Sequence, residues 1–191
     1  MIIRKGPEEI ERIARAGDLV AATIAHVGER VEPGITTAEL DRIAESFITA
    51  HGGTSTSRGY RGYPAAICIS PNEVVVHGIP GPYVVAEGDV VTIDVGATLG
   101  GAIADSAYTF GVGELDPEAQ RLLDTCQEAL GAGIAAARVG NRIGDISHAV
   151  QEVVEDAGFS VVRTAAAATT TRTRTSRTSA SRDAARSSPR A

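Results

Sequence analysis

Asp94 and Asp105 lie in VVTIDVGATLGGAIAD, residues 90–105, which reads as two strands joined by a tight turn, and His77 stands upstream in VVVHGIP. With Leu99-Gly100 at the hairpin tip, the two carboxylates face each other on one sheet surface, with Cβ atoms about 4.5–5.5 Å apart. A tip at Gly100-Gly101 would shift the register and weaken that pairing. Carboxylates so close repel unless a proton or a cation sits between them, and hard divalent ions take such oxygen ligands. Two ions roughly 3.5–4 Å apart can activate water while polarising a carbonyl, so the pair points to hydrolytic metal chemistry. The plain alternative is that both aspartates sit near strand ends and face water. Asp94 speaks against it, because it interrupts an apolar strand where an unpaired carboxylate would be strongly disfavoured.

His77 follows three valines and precedes Gly78-Ile79-Pro80, which places it at a strand end before a rigid turn. From there an imidazole can contact substrate or move a proton, although an ordinary hydrogen-bonded histidine is the plain reading of one residue. His26, His51 and His148 fall on or at the ends of helices without metal-ligand spacing and are assigned to surface or packing roles. Tyr60, Tyr63 and Cys68 flank the loop and strand before His77 and could line a small apolar pocket; loop anchoring and core packing account for them equally well. GATLGG lacks the Lys and Ser/Thr of a phosphate-binding loop, and no nucleophile elbow is present.

The elements that must position these residues follow from periodicity. Ile10, Ile13, Val20, Ile24 and Val27 recur at helical intervals after Pro7, which suits a first helical turn. Thr36 or Thr37 can cap a second helix with Leu40, Ile43, Phe47 and Ile48 on its apolar side and Gly52-Gly53 as the stop. Residues 54–65 read as a loop, and strands are expected at 66–69, 73–76, 90–95 and 102–110. Asp116-Pro117 opens a helix to about Ala137, and another covers about 143–157 before Gly158, with Phe159–Val162 beginning a further strand. Pro33–Gly52 can be laid over Val139–Gly158, each copy reading turn, helix, glycine. Any two amphipathic helices after a glycine turn could match as well.

Charge is unevenly distributed. Residues 1–163 carry 12 Lys+Arg against 23 Asp+Glu, while residues 164–191 carry six Arg and only Asp183. The acidic body offers no basic face for nucleic acid. MIIRKGPEEIERI contains no apolar run long enough for a signal or membrane helix, so no membrane association and a cytoplasmic location are expected. Two cysteines, Cys68 and Cys126, suggest neither a disulfide scaffold nor a thiolate metal site and read as free thiols.

GYRGYPAAICISPNEVVVHGIP at 59–80, GDVVTIDVG at 88–96 and Asp105 eleven positions after Asp94 make the chain resemble the bacterial type I methionine aminopeptidases of the M24 metallopeptidases, over residues 3–163. SPNEVVVHGIP favours this branch over the related proline-specific enzymes. The resemblance implies an α+β pita-bread fold, whose two pseudo-twofold halves feed helices and strands into a curved antiparallel sheet. Here the second half would be incomplete. It implies removal of the initiator methionine from nascent, ribosome-associated proteins when the next residue is small, with two divalent ions (Co, Fe, Mn or Zn). Asp94 would chelate one metal, Asp105 would bridge both, His77 would be the catalytic and substrate-contacting histidine, and Tyr60, Tyr63 and Cys68 would line the methionine pocket.

Past Arg163 the pattern breaks. The family continues with two histidines and two glutamates, whereas this chain has no histidine after His148 and no glutamate after Glu155. One histidine and two glutamates of a five-ligand metal set are thus without counterparts, as is a second substrate-contacting histidine. TAAAATTTRTRTSRTSASRDAARSSPRA has no aliphatic side chain larger than Ala and reads as a disordered tail, of a vocabulary that a GC-rich gene gives when its frame shifts. A partial catalytic domain over 1–163, a tail over 164–191, weak or no metal binding and negligible peptidase activity are therefore expected. The alternative is a non-catalytic half-fold whose basic tail contacts ribosome or nucleic acid.

Overall fold

The computed structural model describes residues 4–162; the tail and the expected boundary at residue 163 lie outside them. Helix α1 (Pro7–Gly28) starts at its proline, and Glu9 accepts a hydrogen bond from the Gly6 amide at 3.1 Å, satisfying one of the orphan donors of the first turn. Leu19, Val20, Ile24 and Val27 are buried, but Ile10 and Ile13 are not. The first turns of α1 adjoin the tip of the main hairpin, where little sheet remains to cover them. Helix α2 (Thr37–Ala50) is capped reciprocally: the Thr36 hydroxyl accepts from the Glu39 amide at 3.2 Å and Glu39 accepts from the Thr36 amide at 3.1 Å.

Against these helices lies an antiparallel sheet of β1 (Thr54–Ser55), β2 (Cys68–Pro71), β3 (Val90–Leu99) and β4 (Ala102–Gly111), with β3 paired to all three others. Its alternation explains its two faces. Val91, Ile93, Val95 and Ala97 are wholly buried in one cluster with Leu40, Ala44 and Ile48 of α2 and the buried stripe of α1, while Thr92, Asp94, Gly96 and Thr98 point to the opposite face. Truncating Ile93 to alanine would cost about 2–5 kcal/mol in such a core.

Three sequence expectations are corrected. The hairpin tip is Gly100-Gly101, not Leu99-Gly100, because both glycines take positive φ (57° and 76°), which a two-residue turn of this hand requires and which Leu99 could adopt only with strain. Residues 73–76 are not a strand: the Val74 amide donates to the Pro71 carbonyl at 3.0 Å in a turn, leaving Val74, Val75 and Val76 exposed. Residues 159–162 likewise form no strand among the described residues.

Helix α3 (Pro117–Ala136), capped by Asp116, and helix α4 (Ile143–Asp156) pack on each other. Helix α4 buries none of its residues fully, and Leu130, Ile134 and Ile143 stay exposed. The turn-helix-glycine repeat is present as conformation: α2 and α4 are both 14 residues long, begin 106 positions apart, follow Gly34 and Gly140 at φ 99° and 100°, and precede Gly52 and Gly158 at φ 76° and 81°. Among the described residues no helix is long and apolar enough to cross a membrane.

Candidate metal and substrate site

The sheet face turned away from α1 and α2 gathers the residues singled out from sequence. In the β2–β3 ladder Cys68 is paired with Asp94; in the β3–β4 ladder Asp94 is paired with Ala107 and Asp105 with Gly96. Asp94 and Asp105 are therefore diagonal neighbours on one face, not directly opposed as expected, at a spacing of roughly 7 Å that carboxylates can still span by converging. Gly96 makes the room. A Cβ there would stand 3.1 Å from Asp105 Oδ2 and collide with Thr56 Oγ1.

Asp94 does not interrupt the core, since alternation sends it to the open face, where it is half-buried. Burial pushes its pKa up, the Asp105 charge pushes it further, and His77 opposes the shift in part. Among the described residues no lysine or arginine forms an ion pair with either aspartate. Two carboxylates on one sheet face, with no lysine or arginine among the described residues ion-paired to either, suit a divalent ion, whose charge would relieve the repulsion and whose preference is for oxygen.

His77 stands in a tight turn rather than at a strand end, with φ 56°, a conformation that non-glycine residues seldom take and that marks local strain. The turn is fixed on both sides: the Ile69 amide donates to the Gly78 carbonyl at 3.0 Å, and the Gly78 amide donates to Ser70 Oγ at 3.1 Å. His77 Nδ1 is thereby held 3.8 Å from Cys68 Sγ.

A loop closes the other side. Asp41 of α2, itself buried, accepts from the amides of Ala66 (2.9 Å) and Ile67 (3.0 Å), and Arg58 ties Asp41, Glu45 and the Pro64 carbonyl together. Between these anchors Tyr60–Gly62 makes one 3-10 turn, and Tyr63 donates its hydroxyl to the Gly78 carbonyl at 2.7 Å. The result is a cleft of about 750 Å³ lined by Tyr60, Tyr63, Cys68, His77, Asp94 and Asp105. Every site residue expected from sequence meets there, although Tyr60 remains largely exposed. Burial raises the pKa of the Cys68 thiol and of the Tyr63 hydroxyl, so both stay neutral near pH 7.

Thr56, Ile79 and Ile103 also line the cleft and were not found from sequence. Ile79 beside His77 and Ile103 on the strand of Asp105 follow once the strand faces are known; Thr56 in the loop carries no such signal. His26 and His51 pack on Phe47, and His148 lies 3.4 Å from Glu152, all away from the cleft.

The profile of metallopeptidase family M24 matches residues 11–175. The methionine aminopeptidase of Clostridium perfringens is 49% identical over 163 residues, which cover 85% of this chain and 66% of that protein. Methionine aminopeptidase 1 of Bacillus subtilis is 45% identical with the same coverage. The crystal structures of methionine aminopeptidases from Rickettsia prowazekii and Thermotoga maritima superpose with a TM-score of 0.83 each, at 35% and 39% identity, covering 85% of this chain and 66% of theirs. Prolidase from Pyrococcus furiosus shares the fold at 20% identity and a TM-score of 0.71. The α+β fold, with its curved antiparallel sheet and helices on one face, is thus the corresponding part of the pita-bread architecture. The chain spans just under two thirds of the length of these methionine aminopeptidases.

Proposed function

Because the chain belongs to metallopeptidase family M24, we propose that its cleft is the methionine-recognising part of a metal-dependent methionine aminopeptidase site, the function named for its relatives from Clostridium perfringens and Bacillus subtilis. One observation carries this proposal: a pair of aspartates that raise each other's charge cost, with no lysine or arginine among the described residues ion-paired to them, opens onto a cleft walled by aromatic, aliphatic and sulfur side chains, with an imidazole at its rim. Asp94 and Asp105 would hold the divalent ions. Such ions supply Lewis-acid polarisation of the scissile carbonyl and lower the pKa of water. Tyr63 and Cys68, neutral and partly dehydrated, receive an unbranched thioether side chain without leaving a charge unpaired. His77, on a constrained turn, presents an imidazole to the reacting amide and can donate a hydrogen bond to charge developing on its oxygen.

Two carboxylates supply too few donors to enclose two ions, so the polypeptide of this sequence should bind them weakly and release little methionine. We further propose, from the composition of residues 164–191, that these residues arise from a change of reading frame after codon 163. Translating the nucleotide sequence beyond that codon in all three frames tests this: a histidine-glycine motif and two later glutamates are expected in another frame. The restored protein should release methionine from Met-Gly and Met-Ala peptides when loaded with divalent metal and should lose that activity in Asp94→Asn. No release from the restored protein would sink the functional proposal.

A further inference from the structure

We infer that Cys68, His77 and Asp94 form a second, sulfur-containing site for a single thiophilic divalent cation such as zinc, overlapping the Asp94/Asp105 pair but not requiring Asp105. The Cys68 sulfur, a His77 ring nitrogen and an Asp94 carboxylate oxygen all lie within 4.8 Å of one another, and Cys68 Sγ is 3.8 Å from His77 Nδ1. Sulfur and nitrogen ligands of one tetrahedral zinc stand about 3.5 Å apart, given metal-ligand distances of about 2.3 and 2.0 Å, so the Cys68–His77 pair needs only a few tenths of an ångström of adjustment, and rotation of the Asp94 carboxylate closes the rest.

Three separate constraints bring the donors together. Strand pairing sets Cys68 opposite Asp94, the Ser70 and Ile69 hydrogen bonds to Gly78 bring the chain back to β2, and His77 is fixed in a positive-φ conformation next to them. Imidazole, thiolate and carboxylate together are a borderline-soft donor set, which prefers zinc to magnesium or calcium, and three protein ligands leave one position open. The surroundings favour a cation as well, since Asp94, Asp105 and Asp41 all act on Cys68 with negative charge. Binding there would displace the thiol proton to solvent, giving the thiolate that the metal takes. Because Cys68 lines the cleft, an ion on its sulfur would take up part of the pocket and compete with an apolar side chain for that space.

Cobalt(II) added to the metal-free full-length chain reports the site, because only a thiolate ligand gives the near-ultraviolet sulfur-to-cobalt charge-transfer band. That band should appear at one equivalent, disappear on adding zinc, and be lost in Cys68→Ser and His77→Ala while surviving in Cys126→Ser and Asp105→Asn. Absence of the band in the unmodified chain, its persistence in Cys68→Ser, or its loss in Asp105→Asn would overturn the inference. Should Cys68→Ser fail to fold by circular dichroism, alkylation of Cys68 in the Cys126→Ser protein decides instead: zinc should slow it at least about tenfold, and an unchanged rate refutes the site. Failure of this experiment leaves the peptidase proposal standing, because that proposal needs Asp105 and the restored downstream ligands rather than an ion bound to the Cys68 sulfur.

Discussion

Cys68 and Asp94 are paired across the β2–β3 ladder, so a buried thiol and a half-buried carboxylate share the sheet face opposite the helices. Burial raises the thiol pKa, and the nearby carboxylates raise it further. Thiolate, not thiol, is the nucleophile. In metal-free protein at mildly alkaline pH, Cys68 should therefore react with iodoacetamide at least about tenfold more slowly than exposed Cys126. Peptide mass spectrometry of timed samples measures both rates, and equal rates would contradict the burial of Cys68.

Asp41 holds the cleft loop from outside the cleft. It accepts from two backbone amides and lies 3.6 Å from the Arg58 guanidinium. Asp41→Ala leaves two buried N–H groups without an acceptor and should cost about 2–4 kcal/mol, whereas Asp41→Asn, which keeps an oxygen in place, should cost about 1 kcal/mol. Urea denaturation with unchanged m-values checks the order; an alanine variant as stable as the asparagine one would show that the amides find water instead.

Asp89 couples stability to acid. Burial alone would raise its pKa, but hydrogen bonds from Asn72 (2.8 Å), the Ala86 amide (2.9 Å) and Tyr83 (2.8 Å) outweigh it and the pKa is lowered from 3.8. A depressed native pKa means the unfolded chain binds the proton first on acidification, so this stabilisation is complete well above pH 3.8 and is lost as pH falls below it. Asp89→Asn should lower stability by about 1–3 kcal/mol at neutral pH, and the gap to the parent protein should close in acid. Melting curves across that range measure it, and a constant gap would exclude the carboxylate charge as the cause.

Legibility from sequence followed the strength of local signals. Pro7, Thr36, Asp116 and the double glycines mark chain ends of helices and turns through backbone chemistry, and the helices start and stop close to them. Residues 73–76 misled because three valines satisfy strand propensity, while Pro71, Asn72 and Gly78 bend the chain into a turn with Asn72 at φ 50°. The hairpin register misled by one residue at the tip because GATLGG admits two turns; the second prevails because both Gly100 and Gly101 take the positive φ that Leu99 would resist. Asp94, Asp105, His77 and Cys68 were recognisable as residues, but the contribution of Asp41 and Thr56 depends on contacts between distant segments that no spacing reveals.

Gly96 tests whether the space beside Asp105 is required. It is paired with Asp105 across β3–β4, and its carbonyl accepts from the Thr56 amide at 3.0 Å, so it has close neighbours on both sides. Gly96→Ala would drive a methyl group into Thr56 Oγ1 and toward Asp105 Oδ2, at a cost of about 1–3 kcal/mol from overpacking. Thr56→Ala removes the hydroxyl that the new methyl meets, so the double variant should recover most of that stability, giving a coupling of about 1 kcal/mol or more in a double-mutant cycle. Asp105 would still be crowded in the double variant. Its affinity for manganese, read by the metal-induced rise in melting temperature, should thus stay below that of the parent even when stability returns. Full recovery of both would mean that Thr56 alone, and not the room beside Asp105, explains the glycine.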